Sequence, residues 1–146
     1  MVAYMKIAIA ADHGGYELKE VLKQHFAAYN FTDLGTNSNE SVDYPDYGAA
    51  LARRVAAGEF DRGILICGSG IGISIAANKV KGIRAALCHN AYTAEMSRRH
   101  NDANVIAMGG RVVDAKTAVE MTDIFLKTEF EGGRHAARVA KISALE

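Results

Sequence analysis

One stretch of the chain decides the fold, and it reads Gly63-Ile64-Leu65-Ile66-Cys67-Gly68-Ser69-Gly70-Ile71-Gly72-Ile73-Ser74. A short apolar run ends in Cys67, a loop with glycine at every second position follows, and a helix can begin near Ile73. This order predicts a buried strand, a tight turn and a helix N-terminus, where free backbone N–H groups and the helix dipole attract an anion. The same dipole favours the thiolate form of Cys67. The segment therefore predicts an anion-binding loop that carries a base or nucleophile, although a buried structural cysteine before an ordinary turn remains the alternative.

Apolar runs and segments of helical period alternate along the rest of the chain. The predicted strands cover about residues 5–11, 31–34, 64–67, 83–88 and 104–108, and the predicted helices cover 16–29, 47–57, 73–79, 91–99, 115–127 and 134–145. The strands are continuous apolar runs, as is typical when helices cover both faces of a parallel sheet. We therefore predict an α/β fold: a three-layer α/β/α sandwich with a Rossmann-like five-stranded parallel sheet in the order 2-1-3-4-5.

The predicted strand order also indicates where a ligand binds. The winding of the chain reverses between strands 1 and 3, and ligands bind beyond the carboxyl ends of the strands at such a switch point. The loops that meet there are Asp12-His13-Gly14-Gly15 and Cys67-Gly68-Ser69-Gly70. The polar segment 35–46 is a further candidate site loop.

Length and composition exclude several classes of protein. The 146 residues predict a single domain, 1–146, and the apolar fraction of 49% is ordinary for a globular protein. Seventeen basic and seventeen acidic residues balance, so we expect no nucleic-acid partner and no basic membrane-binding surface. No apolar run reaches the roughly 18 residues of a membrane span, and the N-terminus is a poor signal peptide. With two cysteines and no disulfide framework, the sequence predicts a cytoplasmic protein.

The glycine loop does not match the common nucleotide-binding patterns. Ile73 stands where the dinucleotide fingerprint requires its third glycine, and no Gly-Lys-Ser/Thr follows as in a P-loop. Ile73 also occupies the place of the arginine that a cysteine phosphatase needs. No pair of His, Cys or carboxylate residues has the close spacing of a zinc site, so we expect no metal.

Candidate site residues also lie outside the glycine loop. His13 ends the first predicted strand, where a role in the site is favoured over a structural one. His100 follows a helix, where a cation would also stabilise the C-terminal end of the helix dipole, so its two roles stay open. Arg134 and Arg138 lie four residues apart on one helical face and suit a phosphate, although a solvated face is the alternative.

Six motifs follow one another in chain order. They are Asp12-His13-Gly14-Gly15, Asp43-Tyr44-Pro45, Ile66-Cys67-Gly68-Ser69-Gly70-Ile71-Gly72, Ala76-Ala77-Asn78-Lys79, Arg98-Arg99-His100-Asn101-Asp102-Ala103-Asn104 and Gly132-Gly133-Arg134-His135. Together they resemble type B ribose-5-phosphate isomerase, whose wider family includes allose-6-phosphate and galactose-6-phosphate isomerases. The resemblance covers essentially the whole chain.

The resemblance implies an aldose–ketose isomerase that interconverts D-ribose 5-phosphate and D-ribulose 5-phosphate without a metal or an organic cofactor. An isomerase of allose 6-phosphate or another six-carbon sugar phosphate is the alternative, and a phosphosugar sensor is a third hypothesis that Cys67 and His100 oppose. The family builds its site between two subunits. The resemblance therefore implies a homodimer or homotetramer, with the C-terminal helix, about 134–145, at the interface and with His100 and Asn101 supplied by the partner.

The resemblance also implies a role for each site residue. Cys67 would move a proton between C2 and C1, His100 would assist opening of the furanose ring, and Ser69, often threonine in the family, would be the catalytic hydroxyl. The enediolate that forms needs hydrogen-bond donors already in place, which the glycine loop provides. The implied substrate-binding residues are Asp12, His13, Tyr44, Gly68, Gly70, Ile71, Gly72, Asn101, Arg111, Arg134 and Arg138.

Overall fold

The computed structural model describes residues 5–146, and in it five parallel strands form one sheet. The strands are β1 (Ile7–Ala11), β2 (Thr32–Asp33), β3 (Arg62–Cys67), β4 (Ala85–Leu87) and β5 (Val105–Gly109). The helices are α1 (Tyr16–His25), α2 (Tyr44–Ala56), α3 (Ile71–Asn78), α4 (Ala91–Arg99), α5 (Ala115–Lys127) and α6 (Arg134–Ser143), with a 3-10 turn at Ala27–Tyr29. None of the helices within residues 5–146 has the length and hydrophobicity to cross a lipid bilayer.

Two apolar cores lie on opposite faces of the sheet. Along β1, Ile7 and Ile9 belong to the core that α1, α4 and α5 cover. Ala8 and Ala10 alternate with them and belong to the core that α2 and α3 cover. Because successive strand residues point to opposite faces, this division confirms the predicted three-layer α/β/α sandwich.

The strand order is β2-β1-β3-β5-β4, so the predicted order 2-1-3-4-5 is wrong in its last two positions. Strand β5 is buried throughout and pairs with β3 over five positions. Strand β4 is three residues long and half-buried, which suits a sheet edge. Since β1 and β3 are still neighbours, the switch point stays where the sequence predicts it.

Two helices begin earlier than predicted, for local reasons. Helix α2 starts at Tyr44 rather than at residue 47 because Pro45 lies in its first turn, where the fixed φ of proline suits a helix. Helix α3 starts at Ile71 rather than Ile73 because Gly70, with a φ of 78°, completes the turn one residue before it. The predicted cap at Asp114 is confirmed, since its Oδ1 accepts a hydrogen bond of 2.8 Å from the backbone N–H of Thr117.

The open edge of β4 is paired by a side chain. The Asn78 side-chain oxygen accepts a hydrogen bond of 2.8 Å from the Ala85 N–H. The Asn78 amide nitrogen donates one of 2.9 Å to the Ala85 carbonyl. Both backbone groups of this edge residue therefore have partners.

Candidate active site

The carboxyl ends of β1 and β3 bring Asp12 and Cys67 together. The strands pair in register up to Ala11 and Ile66, and the Asp12 N–H donates to the Ile66 carbonyl at 3.1 Å. Asp12 and Cys67 follow as the next positions on neighbouring strands. By the alternation of the strands both side chains lie on the same face of the sheet.

The Asp12 carboxylate organises the first loop. Its Oδ1 accepts hydrogen bonds from the N–H groups of Gly14 at 2.9 Å and Gly15 at 3.2 Å. A methyl group on Gly14 would lie 2.9 Å from the Gly68 nitrogen, and one on Gly15 would overlap the Ile66 carbonyl. The two loops can therefore touch only because glycine occupies these positions.

The glycine loop folds over the Cys67 sulfur. The Gly70 N–H donates a hydrogen bond of 3.2 Å to Cys67 Sγ, and Cys67 is 4% exposed. A side chain on Gly70 would meet Leu87 at 2.6 Å, so the loop lies tightly against the sheet. The Ser69 hydroxyl accepts a hydrogen bond of 3.2 Å from the Ile71 N–H at the start of α3. The thiol is thus buried and receives a hydrogen bond from the backbone of the loop.

Tyr44 and Arg111 lie against the same loop. A methyl group on Gly72 would lie 2.5 Å from the Tyr44 ring. One on Gly68 would lie 2.8 Å from Arg111 Nη1. The structure therefore brings both predicted substrate-binding side chains to the loop, and glycine leaves space for them.

A cavity of about 350 Å³ opens beside these loops, between α1 and the end of β5. It is lined by His13, Gly14, Glu17, Leu18, Asn39, Gly110 and Arg111. His13 Nδ1 accepts a hydrogen bond of 3.2 Å from the Val42 N–H, so Nε2 carries the proton of the neutral ring. Glu17 and Asn39 were not among the predicted site residues. In the sequence, Glu17 could have been found by its position four residues after His13, and Asn39 by its place in the polar segment 35–46.

The remaining predicted residues lie at the opposite edge of the sheet. Helix α4 returns the chain to the amino ends of the strands, so His100 and Asn101 lie just before β5 begins. The Glu131 N–H donates to the Arg99 carbonyl at 3.0 Å, which brings the start of α6, and with it Arg134 and Arg138, to this edge. The five residues of β5 span roughly 16 Å between the two edges. One chain therefore does not bring His100 to its own Cys67.

His100 belongs to a compact cluster at the amino edge. Its ring stacks on that of His135, with centroids 4.2 Å apart and planes 13° from parallel. His135 Nε2 lies 3.4 Å from Glu131 Oε1, and Glu131 is paired with Arg99 at 3.0 Å. Burial, together with the charges of His100 and Arg134, lowers the pKa of His135. Burial alone would raise the pKa of Glu131, but the hydrogen-bonded Arg99 guanidinium outweighs burial and lowers it.

The same cluster gathers three residues of metal-ligand type. Ligand atoms of His100, Glu131 and His135 lie within 4.8 Å of one another, which the sequence spacing did not indicate. Zinc needs ring nitrogens whose in-plane lone pairs converge on one point, whereas two stacked rings hold those lone pairs in two separate, nearly parallel planes. Glu131 is also engaged by Arg99. As arranged, these three side chains do not form the converging ligand set of a zinc site.

Comparisons with known proteins agree with the motifs. A family model described as Ribose/Galactose Isomerase matches residues 7–142. Ribose-5-phosphate isomerase B of Escherichia coli is 50% identical over 143 residues, which cover 97% of this chain and 96% of the relative. The structure of Clostridium thermocellum ribose-5-phosphate isomerase B matches with a TM-score of 0.93 at 57% identity, covering 97% of both chains. That of Mycoplasma genitalium ribose-5-phosphate isomerase B with bound ribulose-5-phosphate matches with a TM-score of 0.93 at 41% identity, covering 97% of this chain and 96% of the other. The chain therefore belongs to the ribose/galactose isomerase family.

Proposed function

We propose that this chain is an aldose–ketose isomerase that interconverts D-ribose 5-phosphate and D-ribulose 5-phosphate. The observation that carries the proposal is the match, at a TM-score of 0.93 over 97% of the chain, to a relative with bound ribulose-5-phosphate. Relatives named for ribose 5-phosphate, at 50% and 47% identity, favour this five-carbon substrate over allose 6-phosphate.

The proposed proton transfer takes place at the glycine loop. The Cys67 thiolate takes the proton from C2 of the open-chain aldose and returns it to C1. The proton of the C2 hydroxyl passes to the C1 oxygen, so that the C1 carbonyl becomes a hydroxyl and C2 becomes the carbonyl. The enediolate between these states is held by the Ser69 hydroxyl and the loop amides from Gly68 to Gly72. The first backbone hydrogen bond of α3 runs from the Ser74 N–H to the Gly70 carbonyl, so the amides before Ser74 have no helical partner. Those of Gly70 and Ile71 donate to Cys67 Sγ and to the Ser69 hydroxyl, the two groups that act on the substrate in this proposal. This arrangement supports the loop as the oxyanion site.

The proposed binding residues divide between the two edges. At the carboxyl edge, Asp12, His13, Tyr44 and Arg111 contact the sugar or its phosphate, and Asp12 also holds the first loop in shape. At the amino edge, His100 opens the furanose ring and Asn101 positions the sugar. Arg134 and Arg138 bind the phosphate, which fixes the register of the sugar.

We propose a homodimer, or a tetramer built from it, in which each site combines the carboxyl edge of one copy with the amino edge of the other. Exposed apolar side chains support this at both edges. Ile71 and Ile75, at the start of α3, are 52% and 56% exposed. Helix α6 buries His135 but exposes Ile142, with Leu145 exposed just beyond it. In a two-fold dimer these patches can cover each other twice, which supports an interface that includes α6.

Three smaller proposals complete this function. The chain is a single domain over 1–146, supported by two cores that share one sheet, although residues 1–4 lie outside the described part. It works in the cytoplasm, supported by two unpaired thiols. The reaction belongs to the pentose phosphate pathway, as its two sugars imply.

A coupled assay of ribulose 5-phosphate formation tests the proposal, with and without a chelator. We expect turnover that the chelator leaves unchanged, and a higher kcat/KM for ribose 5-phosphate than for allose 6-phosphate. Loss of activity on chelation would contradict the metal-free mechanism, and preference for the six-carbon sugar would reassign the substrate.

Two cysteine variants test the base. Cys67→Ala should abolish turnover while calorimetry still detects binding of ribose 5-phosphate. Cys88→Ala is the matched control, because burial raises the pKa of the Cys88 thiol to about 11 and keeps it inert. Near-normal turnover by the Cys67 variant would remove that thiol from the mechanism.

A further inference from the structure

We propose that His135 is a positioning residue for ring opening, because its ring is the flat surface that holds the His100 imidazole in one orientation. The inference rests on the proposed function, since it acts through the role assigned to His100. It gives a task to a histidine to which neither the motifs nor the spacing assign one.

The backbone fixes the two rings relative to each other. The Glu131 N–H donates to the Arg99 carbonyl at 3.0 Å, immediately before His100. The His135 N–H then donates to the Gly132 carbonyl at 3.0 Å, which begins α6. These hydrogen bonds hold the end of α4 against the start of α6, and so they fix the positions of both rings, whose centroids are 4.2 Å apart.

Filling space alone does not explain a histidine here. His135 is 5% exposed, and no group among residues 5–146 makes a well-formed hydrogen bond to its Nε2. The carboxylate oxygen Glu131 Oε1 lies 3.4 Å from Nε2. An apolar side chain would fill the same space without burying a polar atom that has no hydrogen-bond partner. What the imidazole adds is a flat face against His100.

The charges around the stack favour a neutral His135. Arg134 and Arg138 face it from α6 and His100 from α4, while Glu131 is the opposing carboxylate. Burial is the largest of the effects that lower the pKa of His135. A neutral ring can lie flat on His100 whether or not His100 carries a second proton.

The stack leaves the reactive atoms of His100 available. Stacking occupies the faces of the imidazole, whereas its nitrogens lie at the edge, in the plane of the ring. Rotation of the His100 ring is blocked, so its nitrogens stay directed toward one place. Ring opening moves a proton from the anomeric hydroxyl and supplies one to the ring oxygen, and such transfers need the base within hydrogen-bond reach.

The test separates ring opening from proton transfer at carbon. Ribulose 5-phosphate has no furanose form, so uptake of deuterium at its C1 from D₂O needs Cys67 and the glycine loop but no ring opening. Conversion of ribose 5-phosphate needs both steps. NMR follows the deuterium uptake, and the coupled assay follows the conversion.

Two apolar variants of similar burial form a matched pair. In His135→Leu, which fills the space without a flat ring, kcat for ribose 5-phosphate should fall about tenfold or more, while deuterium uptake stays within about twofold of wild type. His135→Phe restores the flat face and should recover conversion to within about threefold of wild type. His25→Ala, an exposed histidine on α1, should leave both rates unchanged.

Each other outcome overturns the inference. Equal losses of conversion and deuterium uptake would make His135 a structural residue, and no loss of either would leave it without a role. A Phe variant as slow as the Leu variant would exclude the flat face as the cause. Failure of the wild-type protein to form ribulose 5-phosphate is a separate result and would instead remove the proposed function.

Discussion

Mixing two inactive variants tests whether each site is built from two copies. In a mixed dimer of Cys67→Ala and His100→Ala, one site carries both substitutions and the other carries neither. With random exchange of subunits at equal amounts, half of the dimers are mixed and half of their sites are intact. About a quarter of the wild-type activity should therefore return. A site within one chain would return none, because β5 alone separates the two residues by roughly 16 Å.

The assay starts from the two variants purified with different tags, unfolded together and refolded. Ribulose 5-phosphate formation is followed in the coupled assay before and after the mixed dimers are isolated through both tags. After isolation every dimer has one intact site of two, so the activity per dimer should rise to about half of wild type. The control replaces His100→Ala by the double variant, which leaves every mixed dimer without a Cys67 and so without an intact site. Activity no higher than the sum of the two separate variants, in dimers confirmed as mixed, would refute the shared site.

The other predictions concern stability and are measured by denaturant or thermal unfolding. Gly15→Ala places a methyl group against a backbone carbonyl of β3 and should cost about 2–4 kcal/mol, so an unchanged midpoint would contradict the close contact of the loops. Lys19→Met removes a fully buried ammonium that donates a hydrogen bond of 2.5 Å to Asp33. Because Lys23 still donates to Asp33 at 2.7 Å, the cost should be about 1.5–3 kcal/mol, the range for one hydrogen bond to a charged group, and a stability equal to wild type would mean that Lys23 alone satisfies Asp33. Because the folded state lowers the pKa of His135, unfolded chains take up this proton first, and stability should fall as the pH drops below about 6.5. His135→Leu should reduce that slope between pH 7 and 5, and identical slopes in the two proteins would count against the lowered pKa.

The location of the site could be predicted from the sequence because it depends on local patterns and one topological rule. The apolar run before Cys67 and the glycines after it are enough to specify a strand, a turn and a helix start. Likewise, α4 and α5 have their predicted bounds because Asn90 and Asp114 cap them with side-chain hydrogen bonds. Each of these signals lies within a few residues of what it determines.

The strand order and the amino-edge cluster depend on contacts distant in sequence. The predicted strands 83–88 and 104–108 are both apolar runs, and the first is the longer of the two. The inner strand is the one that is buried on both faces, with Ile106 and Met108 in one core and Val105 and Ala107 in the other, and the sequence does not state this. Glu131 and His135 lie beside His100 because the Glu131 N–H donates a hydrogen bond to the Arg99 carbonyl, which holds the start of α6 at the end of α4. In the sequence, the only signal for these residues is that Glu131 and His135 lie four residues apart near the start of a predicted helix.

The side-chain amide of Asn78 imitates a sixth strand that is one residue long. A carboxamide carries the same donor and acceptor as a peptide unit, so it satisfies Ala85 as a neighbouring backbone would. An unprotected edge invites strand addition from another chain and, with repetition, fibre growth. With that position occupied, another chain cannot extend the sheet at Ala85. One asparagine thus closes a place where open-ended stacking of sheets could begin.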